Sequence, residues 1–198
     1  MIAKPIGFII ALLPTIAFTQ TQTGDHGAAP SAYAGEETRV IKSLSQKDLE
    51  EIASGGGWGL ARAAELNGVP GPTHLLELAD HLGLSDRQQI DIEAIRVQMQ
   101  TDAVRAGKRF VAAEQALDVA FQQSPPDPET LERLVREAGT ARAALRLVHL
   151  NAHLLTAPLL TEPQIRQYSV LRGYSEDPCA AAPPGHDIKL WRTHNGCE

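Results

Sequence analysis

Two histidines four residues apart, His149 and His153, fall on one face of any helix that carries them, a spacing that can hold a soft or borderline divalent metal. Two imidazoles supply only half of a tetrahedral site. The glutamate that follows the first histidine of a metalloprotease helix is missing too, since that place is taken by Leu150. Histidines on a solvated or hydrogen-bonded helix face are the competing reading. His74 and His81, two turns apart on a shorter segment, are open to the same two readings. In the C-terminal tail, Cys179, His186, His194 and Cys197 follow in an order that could close on zinc. An oxidising compartment instead makes a Cys179–Cys197 disulfide the expectation, with free or intermolecular thiols as the third outcome. No cofactor is expected, zinc or another divalent transition metal being the alternative.

A further set of residues is cationic. Arg105, Lys108 and Arg109 lie together in one segment, and Arg133, Arg136, Arg142 and Arg146 recur along another. Interleaved with Asp and Glu, they form either a solvated face or a cationic, partly apolar surface. The second kind would draw non-native chains by long-range attraction and hold them by shallow contact. Gly55 to Gly59 with Trp58 resembles a phosphate loop only superficially. No strand precedes it and no Gly-Lys-Ser/Thr follows, so it reads as a flexible joint with one packed indole. The chain has no Gly-x-Ser-x-Gly, no paired carboxylates in an apolar setting and no nucleophile with a placed base, so no enzyme is expected.

The elements that must position these residues are helical. Ser45 followed by Asp48 caps a short helix that the Gly55-Gly56-Gly57 run ends. Pro72 to Leu82 predicts a second, stopped by Gly83. Leu84-Ser85-x-x-Gln88 then opens a long helix that persists to about Gln123, where Ser124-Pro125-Pro126 stops it. Its apolar stripe runs through Ile92, Ile95, Met99, Ala106, Phe110, Ala113, Leu117 and Ala120. Asp127-Pro128-Glu129 starts a second rod with a regular seam at Leu131, Leu134, Ala138, Ala141, Leu145, Val148, Ala152 and Leu155. The short connection makes the rods antiparallel neighbours. Leu160-Thr161-x-x-Gln164 repeats the first capping arrangement and opens a short helix to Leu171, so the two copies lie at one pole of the hairpin. Two rods cannot cover their own apolar surface. The flanking helices or a second subunit must do so, and a homodimer is the simplest source.

Ahead of this lies Lys4 and an apolar run from Ile6 to Phe18, the layout of a secretory signal peptide. A membrane anchor would need roughly 20 consecutive apolar residues, and this run is shorter and holds Pro14. The domain organisation expected is therefore a signal peptide over 1–20, a disordered leader over 21–43, a helical domain over 44–173 and a tail over 174–198. With 18 basic and 24 acidic residues the chain is acidic, which offers no overall electrostatic case for nucleic acid.

The two Leu-Ser/Thr-x-x-Gln boxes flanking a long hairpin, behind a signal peptide, resemble the Spy/CpxP family of periplasmic proteins, whose motif is Leu-Thr-x-x-Gln. The resemblance covers about residues 71–173, with Ser85 standing where the motif has Thr. The segment from Ala61 to Gly68, with Pro70-Gly71-Pro72 and His74-Leu75-Leu76, is similar to the lead-in of members described as heavy-metal sensors or resistance proteins. The resemblance implies an all-α, cradle-shaped homodimer in the periplasm that shields unfolded or misfolded envelope proteins without ATP, or reports envelope stress. The alternative it implies is a heavy-metal sensor with a partner in the inner membrane. After processing only Met99 remains of the methionines, which argues against a methionine-lined copper site.

Overall fold

The computed structural model describes residues 30–195 and 197. The expected signal peptide and the first part of the leader lie outside them. The chain falls into two units, Met1–Ala34 and Gly35–Glu198. In the first, the described residues form a turn in which the Ala34 amide donates to the Ser31 carbonyl. The second is helical, and among the described residues the one β-bridge joins Ile41 to Leu44.

Its helices are α1 (Gln46–Ala53), α2 (Arg62–Glu65), α3 (Pro72–Glu77), α4 (Asp86–Gln123), α5 (Pro128–Thr156), α6 (Glu162–Leu171) and α7 (Ile188–Asn195), with 3-10 turns at Glu36–Thr38 and Ala157–Leu159. At about 1.5 Å per residue the 38 residues of α4 reach about 57 Å. α5 returns along it, as the Ser124–Asp127 connection requires. No helix among the described residues is long and apolar enough to cross a membrane.

Each helix start expected from a capping pattern is capped as predicted. Ser45, Ser85 and Thr161 accept the amides of Asp48, Gln88 and Gln164, whose side chains reach back to the cap amides. Asp127 accepts two amides at the start of α5. The two glutamines do more than cap. Gln88 Nε2 donates to Gln164 Oε1 at 2.9 Å and to the Leu159 carbonyl at 2.8 Å. Gln164 Nε2 donates back to Gln88 Oε1 at 3.2 Å and to the Leu82 carbonyl at 3.4 Å. The boxes are thus locked to each other at the base of the hairpin, with Leu84 buried beside them and Leu160 packed against the same cluster. Ser85→Ala and Thr161→Ala should each cost about 1 kcal/mol, read as a lower melting midpoint. Unchanged melting in both would remove the capping role.

Two clusters form the core. At the base, Leu75, Leu82, Leu84, Ile92 and Tyr168 bring α3, α4 and α6 together. Further along the rods, Ile41, Leu44, Ile52, Leu60, Ala103, Phe110 and Leu145 gather under α1.

Several expectations need correction. The last residues of the segment expected to be disordered, 41–43, are packed: Ile41 is buried, the Lys42 amide donates to Asp118 and Ser43 Oγ to Glu114, so one apolar side chain and two hydrogen bonds fix them. α3 ends at Glu77 rather than Leu82. The Leu78 amide is shared among the carbonyls of residues 74–76, and the chain continues as turns that bury Leu82 and Leu84. On α4 the buried face includes Ala103 and Gly107, because α1 lies across it. Leu155, expected in the seam of α5, is 63% exposed. α2 and α7 were not expected as helices.

The Cys179–Cys197 disulfide is formed. It closes a tail in which Trp191 Nε1 donates to the Pro178 carbonyl at 2.7 Å and Asp187 caps the first turn of α7.

Candidate functional site

His149 and His153, open to a metal reading or to a solvated or hydrogen-bonded face, are not solvated: they are 2% and 8% exposed, and His153 is hydrogen-bonded to the Val69 carbonyl. They line a cleft of about 490 Å³ whose other walls come from the end of α1, the Gly55–Gly59 loop, α2, the start of α3, Met99 of α4, and Arg172 and Tyr174 beyond α6. The sequence brings these together through glycine. A Cβ on Gly71 would lie 2.5 Å from His153 Nε2 and 2.7 Å from its Cε1, so only glycine lets α3 begin against that ring. On the far side, Gly55 (φ +74°) and Gly59 (φ +64°) turn the loop back.

Between those glycines Trp58 holds φ +43°, a left-handed conformation that a bulky side chain adopts only when its surroundings impose it. Its amide donates to Glu51 at 2.7 Å and its indole to Asp48 at 2.8 Å. Its ring centroid lies 5.5 Å from that of Phe110. The Ser45 hydroxyl and the Trp58 indole hold the Asp48 carboxyl below the usual carboxylate range. The joint read as flexible is therefore a pinned loop.

Nδ1 of His153 lies 2.6 Å from the Val69 carbonyl, which makes it the donor and leaves Nε2 with its lone pair free. His149 Nε2 is buried with no hydrogen-bond partner. Burial, then the neighbouring His153, lowers its pKa below the ordinary 6.5, with Glu51 opposing. A buried histidine kept neutral costs stability when protons are plentiful. The contribution is intact above pH 6.5, the unfolded value, and is lost as pH falls from there through the depressed folded value. The urea midpoint should therefore drop between pH 7.5 and 5.5 in the parent chain and drop less in His149→Phe. Equal slopes in the two would refute this.

At the opposite end of the cleft, Glu65 Oε1 accepts from Tyr168 at 2.5 Å and from Tyr174 at 3.0 Å. His74 Nδ1 and Arg172 Nε lie 3.6 and 3.4 Å from the same oxygen. Burial, then the Glu65 carboxylate, raises the Tyr168 phenol far above its ordinary range. Of the sequence-predicted metal candidates, the cleft thus gathers His74, His149 and His153. His81 is exposed and does not line it, His186 stands edge-on to Trp191, and His194 lies on α7. The two sulfurs are bonded to each other, so the Cys-His-His-Cys zinc alternative has lost its thiolates. Among the described residues no group of three or more His, Cys, Asp or Glu is set to hold a metal ion. Glu65, Gly71, Arg172 and Tyr174 carried no sequence signal beyond the Pro70-Gly71-Pro72 punctuation.

The cationic candidates divide. Arg105 pairs with Asp102, and Arg142 sits 5.4 Å over the Trp58 ring. Along the rods Arg87, Arg96, Arg133 and Arg136 are also paired, each with a carboxylate on its own helix. Lys108, Arg109 and Arg146 have no ion pair among the described residues. Arg109 opens onto a groove of about 690 Å³ between the rods, floored by Ala113, Ala141 and Ala144. Beyond it α5 exposes Leu147 and Leu154, 57% and 64%, together with Leu155. At seven residues' separation Leu147 and Leu154 share a face, on which Ala144 and Leu155 also fall.

No family model matches this chain, and no curated protein or solved structure matches it either.

Proposed function

We propose that this chain is a periplasmic, ATP-independent chaperone or envelope-stress adaptor that binds non-native proteins on its hairpin, acting as a homodimer and without catalysis. The observation that carries the reading is the surface of α5. Leu147, Leu154 and Leu155 are left to water on α5, and the hairpin also carries Lys108, Arg109 and Arg146, for which the described residues supply no ion pair. Unpaired charge speeds the encounter, and modest apolar area gives a hold weak enough to release without fuel. The paired arginines nearer the tip add little attraction, since their fields are cancelled locally.

The purified mature chain should slow aggregation of an unrelated unfolding protein at near-stoichiometric amounts. Replacing Lys108, Arg109 and Arg146 together by Glu should weaken that protection severalfold, and more strongly at low salt, where screening is least. If the parent chain leaves several clients unprotected at molar excess, the proposal fails.

A second reading, a heavy-metal sensor or resistance protein, is favoured by one observation: among the described residues the buried His149 Nε2 has no hydrogen-bond partner, and His153 and Met99 line the same cleft. His149 and His153 would hold a divalent ion, each as a neutral ring, and Val69 would fix the tautomer of the second. Calorimetric titration with zinc and with nickel separates the readings. Tight binding that His149→Ala abolishes supports the sensor, and absence of heat removes it.

A further inference from the structure

The tail beyond α6 stands outside the core. Among the described residues, the highest-numbered side chain in either apolar cluster is Tyr168. The tail is shaped by hydrogen bonds of its own. The Cys179 amide donates to Asp177 Oδ1 at 2.8 Å, Asn195 Nδ2 to the Trp191 carbonyl and the Cys197 amide to the Arg192 carbonyl, both at 2.9 Å, while the Trp191 indole reaches back to Pro178. Its helix, α7, has only eight residues. Isolated helices shorter than about 12–15 residues are marginal in water, and packing adds little here, because Ile188 and Leu190 are exposed and Trp191 is half-buried. The Cys179–Cys197 bond supplies what packing does not. It joins cysteines 18 apart in the chain and so shrinks the open ensemble against which α7 must compete.

The tail leans on α6. Pro178, Cys179 and Asn195 face Pro163, Gln167 and Val170 across a cleft of about 310 Å³, and both cysteines are half-buried. We propose that the disulfide is a redox switch: reduction by a dithiol melts α7 and lifts the tail from α6, while the rods and both clusters stay folded. One thiolate of the dithiol attacks a sulfur of the bond, which gives a mixed disulfide and releases the other cysteine as a thiolate. The second thiolate of the reductant then closes the reductant's own disulfide and frees the first cysteine. Two electrons and two protons pass in this way from the dithiol to Cys179 and Cys197. The α6 face so uncovered lies on a different element from the exposed leucines of α5, so the switch goes beyond the client reading and does not rest on it.

Hydrogen exchange read segment by segment on the full mature chain, with and without dithiothreitol, tests the proposal. Alkylation and mass analysis first establish that both thiols are free in the reduced sample. The α7 amides should then exchange faster by about tenfold or more. Those of α4 and α5 should be unchanged, and carbene labelling of Gln167 and Val170 should rise. The double variant Cys179→Ser, Cys197→Ser should match the reduced chain with no reductant present, which separates loss of the bond from an effect of the reagent. Unchanged exchange of α7 in the fully reduced chain, unchanged labelling of α6, or loss of protection along the rods overturns it.

Discussion

Phe110→Ala should destabilise the folded chain by about 3–5 kcal/mol. Phe110 is 2% exposed and joins the segment before α1, α1 itself and both rods in one cluster. Two features keep the loss near the top of that range. Its neighbours on α4 are Ala103 and Gly107, which have no side-chain length with which to fill the space. Its ring also supports Trp58, on which Arg142 rests, so the cavity would open directly beneath the pinned loop. Urea titration followed by circular dichroism gives the number. A loss under about 1 kcal/mol would mean that α1 collapses into the gap and that the cluster is less rigid than described.

Gly107→Ala is a test of sign. In the middle of a long helix, alanine should be better than glycine by about 1 kcal/mol on propensity alone. Here a Cβ would lie 2.6 Å from Ile52 Cγ2 and 3.1 Å from the Ile52 carbonyl oxygen, so α1 must lift from α4 to accept it. Overpacking of this kind costs about 1–3 kcal/mol, and the net change is expected to be a loss. Ile52→Ala in the same chain should recover part of it, so that the two losses together fall short of their sum. A variant more stable than the parent would show that α1 and α4 are not in contact at Gly107.

Gly107 also shows where reading the sequence stops. Periodicity located both rods to within a residue or two, because a cap, a stripe and a proline stop are all local signals. It did not reveal which faces of the rods meet the short helices, since Ala103 and Gly107 carry no hydrophobic weight and matter for being small. His149 and His153 were visible as a pair, yet their burial depends on Gly71 approaching from eighty residues away in the chain, and spacing is silent about that. The Glu65 cluster joins α2, α3 and the end of α6, three places with no shared pattern. The disulfide follows the expectation drawn from an even cysteine count and an expected oxidising compartment. Leu155 fits the seam by spacing and is nevertheless left to water.

The mutual grip of Gln88 and Gln164 sets a rule about length. Each amide both gives and takes, a role that glutamate could fill only by half, so the beginning of α4 and the chain just after α5 are held in fixed register. Residues added to one arm cannot be absorbed at that end and must emerge at the Ser124–Asp127 turn. An unmatched insertion would rotate every side chain beyond it away from its opposite number. Seven residues added to each arm next to the turn would instead extend the pair by about 10 Å with its faces nearly preserved. The hairpin is thus a rule fixed at its zero mark, which evolution or an engineer can extend or trim only at the far end and only in matched units.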